Sequence, residues 1–215
     1  MIRRRPRAGG LTLIELLLVM TVVALLAAMT LPSLGLARER ARVARVHTEL
    51  HGIEVALEVY SHDHEGRYPP VRVDCNADMR EHWCPLPVEL AQGNYLPKGP
   101  GGGLAAAMID EFNRGATYKY AAPGPCFLNG SRSDNYEIWV PNDFPHCETT
   151  EGDYWGDPQR APVRWAVWSL GPQPKSAKSQ SPYSPLSGQT WYRRGRDTGV
   201  LVRFADRSGT SYKSP

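Results

Sequence analysis

One acid stands alone in a greasy run. From Leu11 to Ala37 the only charged side chain is Glu15, and the stretch that opens this run reads Gly10-Leu11-Thr12-Leu13-Ile14-Glu15-Leu16. About 20 apolar residues of helix, at ~1.5 Å each, cross the hydrocarbon core of a bilayer. A carboxylate at mid-membrane costs about 2.5–3.5 kcal/mol on insertion scales. Two arrangements offset that cost. In one, a cation pairs with the acid where low dielectric strengthens the attraction. In the other, Glu15 sits near the interface, snorkels, and gains from the positive end of the helix dipole.

Other chemistry-bearing residues all follow the apolar run. Cys75, Cys84, Cys126 and Cys147 are even in number and closely spaced in a part that a membrane segment can export. This predicts two disulfides, Cys75–Cys84 and Cys126–Cys147, out of the three connectivities that four cysteines allow. The rival is a metal site from His82, Cys84, His146 and Cys147. Adjacent His-Cys side chains point apart, however, and no C-x-x-C occurs. His62-Asp63-His64 offers ligand types, and equally fits a solvated helix end where histidine is favoured by the dipole. Asp143, Glu148, Glu151, Asp153 and Asp157 are dense enough to suggest Ca²⁺, or a glycoside-cleaving pair. The Asp-x-Asp-x-Asp-Gly pattern is missing, which favours an exposed acidic loop. Gly99 to Gly103 lacks the Gly-Lys-Ser/Thr ending and the preceding strand of a phosphate loop. Neither Gly-x-Ser-x-Gly nor His-Glu-x-x-His occurs. No active site is expected, and calcium is the one ion left open.

The elements that carry these residues follow from charge and periodicity. Four of the 25 basic side chains, Arg3, Arg4, Arg5 and Arg7, precede Gly10. Beyond it 21 bases face 22 acids, a formal side-chain charge of −1, so the basic pI is a leader effect and gives no reason to expect nucleic acid. A secretory leader cut near Gly35-Leu36-Ala37 is the competing reading of the N-terminus. The apolar run is long for that, and its helical pattern continues past the cut. Leu36, Val43, Val46, Leu50, Ile53, Leu57 and Tyr60 keep a 3.5-residue stripe, with Glu39, Arg42, Arg45, Glu49, Glu54 and Glu58 as the wet side. Pro32 cannot donate to the carbonyl four residues back, so it should kink the helix or loosen one turn. Gly66 and Pro69-Pro70 end it. A helix from Leu11 to about His62 is roughly 75–80 Å long. Arginines flank both ends of the apolar run, so charge does not fix its orientation. Four strands are expected near Thr117–Tyr120, Tyr136–Val140, Val163–Trp168 and Val200–Phe204. They suggest an antiparallel sheet whose apolar face the 43–60 stripe covers. Residues 172–199, rich in Ser, Pro and Arg, read as a surface loop.

Gly10-Leu11-Thr12-Leu13-Ile14-Glu15-Leu16-Leu17 resembles the N-terminal signature of type IV pilins and of the pseudopilins of type II secretion. The resemblance implies a pilin fold: an α+β chain with a long N-terminal helix packed on a small antiparallel sheet head. It implies cleavage by a prepilin peptidase between Gly10 and Leu11, N-methylation of Leu11, and a filament built on the retained helix. Thr12 and Glu15 then serve assembly, with Glu15 taking a neighbour's terminal amine, and Pro32 stands where the family commonly has a helix-breaking proline. Leu11 departs from the usual Phe. Gly66-Arg67-Tyr68-Pro69, Tyr95-Leu96-Pro97 and Trp168-Ser169-Leu170-Gly171 resemble steps of the major pseudopilins. The acidic calcium loop that usually follows the last of these is absent here.

The implied organisation is a leader over 1–10, a transmembrane and filament-core helix over 11–37, an amphipathic continuation over 38–66, and a head over 67–215. The expected function is a non-enzymatic subunit of a secretion-type pseudopilus. The alternatives are a major or minor type IV pilin and, in a different class, a membrane-anchored extracytoplasmic enzyme or binding domain. Expected partners are further copies of the chain, the peptidase, an inner-membrane assembly platform, minor pseudopilins and lipid, but no nucleic acid. The expected location is the bacterial inner membrane, with one span and an extracytoplasmic head.

Overall fold

The computed structural model describes residues 12–74, 83–99, 101, 103–104, 108–180, 185–195 and 198–215, with the backbone alone at residues 30–33 and 134. Contacts divide the chain into two compact units, Met1–Ala41 and Arg42–Pro215. Helix α1 (Leu13–Asp63) contributes to both. Within the first unit no described side chain is buried. The backbone stays α-helical through Pro32, with no turn of another helix type there.

Within the second unit, the 3.5-residue stripe does what its spacing predicts. Val46, Leu50, Ile53 and Leu57 are fully buried, while Val43 and Tyr60 pack at the edge of the same core. Each fully buried aliphatic side chain stabilises by about 1.5–3 kcal/mol. The wet side is less wet than expected. Glu49, Glu54 and Glu58 border the stripe and reach across it. Glu49 Oε2 accepts from Tyr118 Oη at 2.5 Å, Glu54 from Arg203 Nε, and Glu58 Oε1 from Trp165 Nε1 at 2.7 Å and Tyr68 Oη at 3.1 Å. Arg42 pairs with Glu111 at 3.1 Å. Charged residues flanking a buried stripe therefore act here as clamps.

The helix ends by backbone geometry. Glu65 takes φ +57°, and the N–H of Gly66 donates to the carbonyl of Ser61 at 2.8 Å, closing the wide hydrogen-bonded loop that stops a helix.

Three sheets follow. Strands β1 (Val71–Val73), β3 (Gly124–Leu128) and β4 (Ser131–Tyr136) lie in the order β1-β3-β4, with β1 parallel to β3. Strands β2 (Lys119–Ala121), β7 (Val163–Ser169), β8 (Leu201–Asp206) and β9 (Ser211–Lys213) form an antiparallel sheet in that order. Strands β5 (Ile138–Pro141) and β6 (Gly152–Trp155) make a separate hairpin. Residues 83–86 join the first two sheets. Trp83 bridges Val73, Pro85 bridges Lys119, and the carbonyl of Cys84 accepts from the N–H of Tyr120 at 2.8 Å. A four-residue helix, α2 (Glu89–Gln92), precedes the Tyr95-Leu96-Pro97 turn. The architecture is α+β, a long N-terminal helix followed by sheets that are antiparallel except for the β1–β3 pair.

Two sequence expectations change here. The strand expected at Tyr136–Val140 is divided, with Tyr136 ending β4 and residues 138–140 lying in the β5–β6 hairpin, and no part of it joins the main sheet. The main sheet is also buried on both faces. Trp165, Val167 and Tyr120 face the stripe of α1, while Ala166, Trp168 and Phe204 are equally inaccessible. The second face is closed by aromatic side chains from the connections: Trp83 meets Trp168 edge-on at 6.4 Å, and Phe144 and Trp191 pack on Phe204 at 5.5 and 6.1 Å.

Candidate assembly site at the helix start

Of the residues singled out by the N-terminal pattern, Thr12 and Glu15 are described, whereas Gly10 and Leu11 lie outside the described residues. Thr12 precedes the first helical residue and Glu15 is the third. The backbone N–H of Thr12 donates to Glu15 Oε2 at 2.8 Å and its hydroxyl to the same oxygen at 2.7 Å. The N–H of Glu15 in turn donates to Thr12 Oγ1 at 3.3 Å. This is a capping box, which satisfies donors that a helix start leaves without intrahelical partners. Removing a Thr cap typically costs ~1 kcal/mol. The sequence carried the signal as Thr-x-x-Glu ahead of an apolar run. Neither the paired nor the snorkelling reading of Glu15 contains this cap.

The surface around this box is apolar. Leu13 is 81% exposed, Ile14 76% and Met29 75%, and Leu16 to Leu26 contribute further exposed Leu, Val and Met side chains. Exposed apolar surface on this scale marks a membrane- or protein-facing element. By length and composition α1 is able to cross a membrane.

The head disperses most of the candidate ligands. His62 is exposed and near Asp63, whereas His64 Nδ1 donates to the Tyr60 carbonyl oxygen at 2.8 Å and the ring stacks on that of Tyr60 at 3.8 Å. Asp143 Oδ2 accepts the N–H groups of Glu148 and Thr149, and Asp157 Oδ1 that of Gln159. The acidic loop thus folds around its own backbone. Among the described residues no group of three His, Cys, Asp or Glu side chains has metal-holding geometry. His82 lies outside the described residues, as do parts of the Gly99–Gly103 loop.

The cysteine expectation is corrected. Cys84, Cys126 and Cys147 are free thiols, so neither Cys126–Cys147 nor a bridge from Cys84 is formed, and Cys75 lies outside the described residues. Cys126 sits inside β3 between β1 and β4, while Cys147 is fixed in the β5–β6 connection, its carbonyl accepting from the N–H of Gly188 at 2.7 Å. Burial pushes the Cys84 and Cys147 thiols up to about 12. All three behave as small apolar core residues.

A residue that pattern reasoning missed is Asp110, which is fully buried. It accepts from Ser169 Oγ at 2.7 Å and from the N–H groups of Leu170 at 3.0 Å and Phe112 at 2.9 Å. It thereby fixes the Trp168-Ser169-Leu170-Gly171 corner. Gly171, at φ +72°, lies so close to the Gly199 carbonyl that a Cβ would sit 1.8 Å from its oxygen, which permits no other residue. In the turn that follows, Ser179 Oγ serves the carbonyls of Leu170 at 2.6 Å and Gln173 at 3.0 Å.

One comparison with known proteins falls on the same N-terminal residues. The family model described as the prokaryotic N-terminal methylation motif matches residues 5–31. Over 122 residues, 56% of this chain and 78% of the relative, the sequence is 28% identical to the type II secretion system core protein G of Pseudomonas aeruginosa. No solved structure matches the chain.

Proposed function

We propose that the chain, similar at its N-terminus to the methylation-motif family and over 122 residues to a type II secretion core protein, is a structural subunit of a secretion-type pseudopilus, assembled through its N-terminal helix. The observation that carries this reading is one site with three properties. The methylation motif overlaps a capped helix start, the cap holds the only acid of the apolar run, and the run itself is exposed. Residues 1–10 are the leader, removed between Gly10 and Leu11. Leu11 then bears the methylated amine. Residues 11–37 span the inner membrane and pass into the filament core, residues 38–66 continue the helix, and residues 67–215 form the extracytoplasmic head. Pro32, which has no N–H to offer residue 28, is the point at which the helix can bend. The work is mechanical, without an active site. The partners are copies of the chain, the peptidase, the assembly platform and the minor pseudopilins.

In this reading Glu15 changes partners. In the single chain its carboxylate is held by Thr12; in the filament a neighbour's terminal amine takes it at low dielectric. The mass of the mature N-terminal peptide tests the processing. N-methyl-Leu11 is expected, and Arg38 as first residue or an intact Met1 overturns the reading. Glu15→Gln is expected to leave cleavage intact and to reduce assembly. Undiminished assembly would return Glu15 to a capping role alone.

A further inference from the structure

Charge in the head is segregated by sequence. No Lys or Arg occurs from Ser133 to Gln159, a stretch that includes Glu148, Glu151, Asp153 and Asp157. No Asp or Glu occurs from Pro158 to Arg196, which includes Lys175, Lys178, Arg193 and Arg194. The fold keeps the two sets on the surface. All four acids are exposed, as are Lys175, Arg193 and Arg194, with Lys178 half-buried. The two segments border a common cleft of about 230 Å³, lined by Thr150 from the acidic side and by Lys178 and Gln189 from the basic side. Among the described residues no ion pair joins them, although ion pairs hold α1 to the rest of the head at Glu54, Glu58 and Glu111. The acidic side also presents Tyr154, 61% exposed, between Asp153 and Trp155 on β6. An exposed tyrosine on a segment rich in carboxylates suits an arginine-bearing partner, because its ring face attracts a guanidinium while the acids of the segment supply counter-charge.

We propose that these segments are the two halves of a contact between neighbouring copies of this chain, the acidic 148–157 segment of one head meeting the basic 175–194 segment of the next. The proposal rests on the filament reading above and adds to it a head-to-head specificity element. A polymer of identical subunits gives each half its complement from another copy, as head-to-tail contacts do. Opposed charges of this kind steer encounter and fix register, while like charges brought together are strongly rejected. The contact is weakened by salt, since exposed charges are screened over about 8 Å at physiological ionic strength.

The test uses full-length chain and reads the amount of sheared filament. Reversing one half, by Glu148→Lys with Asp153→Lys or by Lys175→Glu with Arg193→Glu, sets like charge against like. Either reversal is expected to lower filament yield roughly tenfold, the effect of about 1.4 kcal/mol per contact. The chain carrying all four substitutions restores complementarity in the opposite sense and is expected to recover most of the yield. That recovery separates a lost contact from a misfolded head. Single-half variants that assemble like the parent chain, or a fourfold variant as poor as either half, overturn the contact and leave the filament reading standing. A parent chain that forms no filament under conditions where its Leu11 is processed overturns the filament reading, and the contact with it.

Discussion

Glu58 is the residue on which the attachment of α1 to the sheet is most concentrated. One oxygen accepts from the indole of Trp165 at 2.7 Å and the hydroxyl of Tyr68 at 3.1 Å, and the other lies 3.4 Å from Arg164 Nη2. Trp165 is fully buried. In Glu58→Ala both donors lose their acceptor. A buried donor left without a partner costs ~1–3 kcal/mol. Water reaches the half-exposed Tyr68 side more easily than the indole, so the lower half of that range applies there. The exposed ion pair adds only about 0–1 kcal/mol. The sum is about 2–6 kcal/mol, a large part of a typical domain's stability. Glu58→Gln keeps a carbonyl acceptor for Trp165 and loses the charge facing Arg164, so about 1 kcal/mol is expected. Urea unfolding of the full-length chain in detergent, followed by tryptophan fluorescence, reads both. Destabilisation by Glu58→Ala of less than 0.5 kcal/mol, or equal effects of the two substitutions, would refute the clamp.

Three further outcomes are expected. Burial, with Lys213 and Arg203 nearby, holds the His47 imidazole below its ordinary value of 6.5. The unfolded chain therefore binds the proton more readily, and this contribution to stability is complete above pH 6.5 and is lost as pH falls below it. His47→Gln should flatten the pH dependence of urea midpoints below 6.5; an unchanged slope refutes the assignment. The buried thiols of Cys84, Cys126 and Cys147 should resist an alkylating reagent at neutral pH and react fully in denaturant without reductant. Labelling that requires reductant would mean bridges exist after all. Because Ser179 and backbone groups hold the turn after Gly171, a chelator should leave the melting temperature unchanged, and a fall would reveal a bound cation.

The long helix and its buried stripe were legible because a repeat of 3.5 residues is a direct image of one helix face. The strands at residues 119–121, 163–169 and 201–206 were legible because alternating aromatic and β-branched residues suit a pleated, half-buried surface. β4 reads Ser-Arg-Ser-Asp-Asn-Tyr. It is a strand because β3 offers it a hairpin partner after Asn129-Gly130, both at positive φ, and not because its own residues favour one. β1 and β9 are three residues long, below what periodicity can resolve. Glu49, Glu54 and Glu58 were misread as solvated because charge alone does not tell a wet face from a rim. The disulfide expectation failed for a related reason. Even number and spacing describe cysteines that staple small domains with little core, whereas this head buries a continuous core of aromatic and aliphatic side chains and uses its thiols as part of it. Thr12 and Glu15 were recognised as important for the family pattern, and the local hydrogen bonds that the same two residues make were left unread.

The closure of both faces of the main sheet has a consequence for contacts between copies of the chain. The margins of that sheet are β2 and β9. At β2, Leu86 donates to the Tyr118 carbonyl and Tyr120 to that of Cys84, and Pro85 in between brings no N–H. At the far side, β9 is three residues long, carries Lys213, and is followed at once by Ser214, whose N–H returns to the Val202 carbonyl, and by Pro215. Short, charged and proline-ended margins of this kind discourage strand-to-strand growth between molecules. If the filament reading holds, growth through the helix does not compete with pairing at the margins of the main sheet.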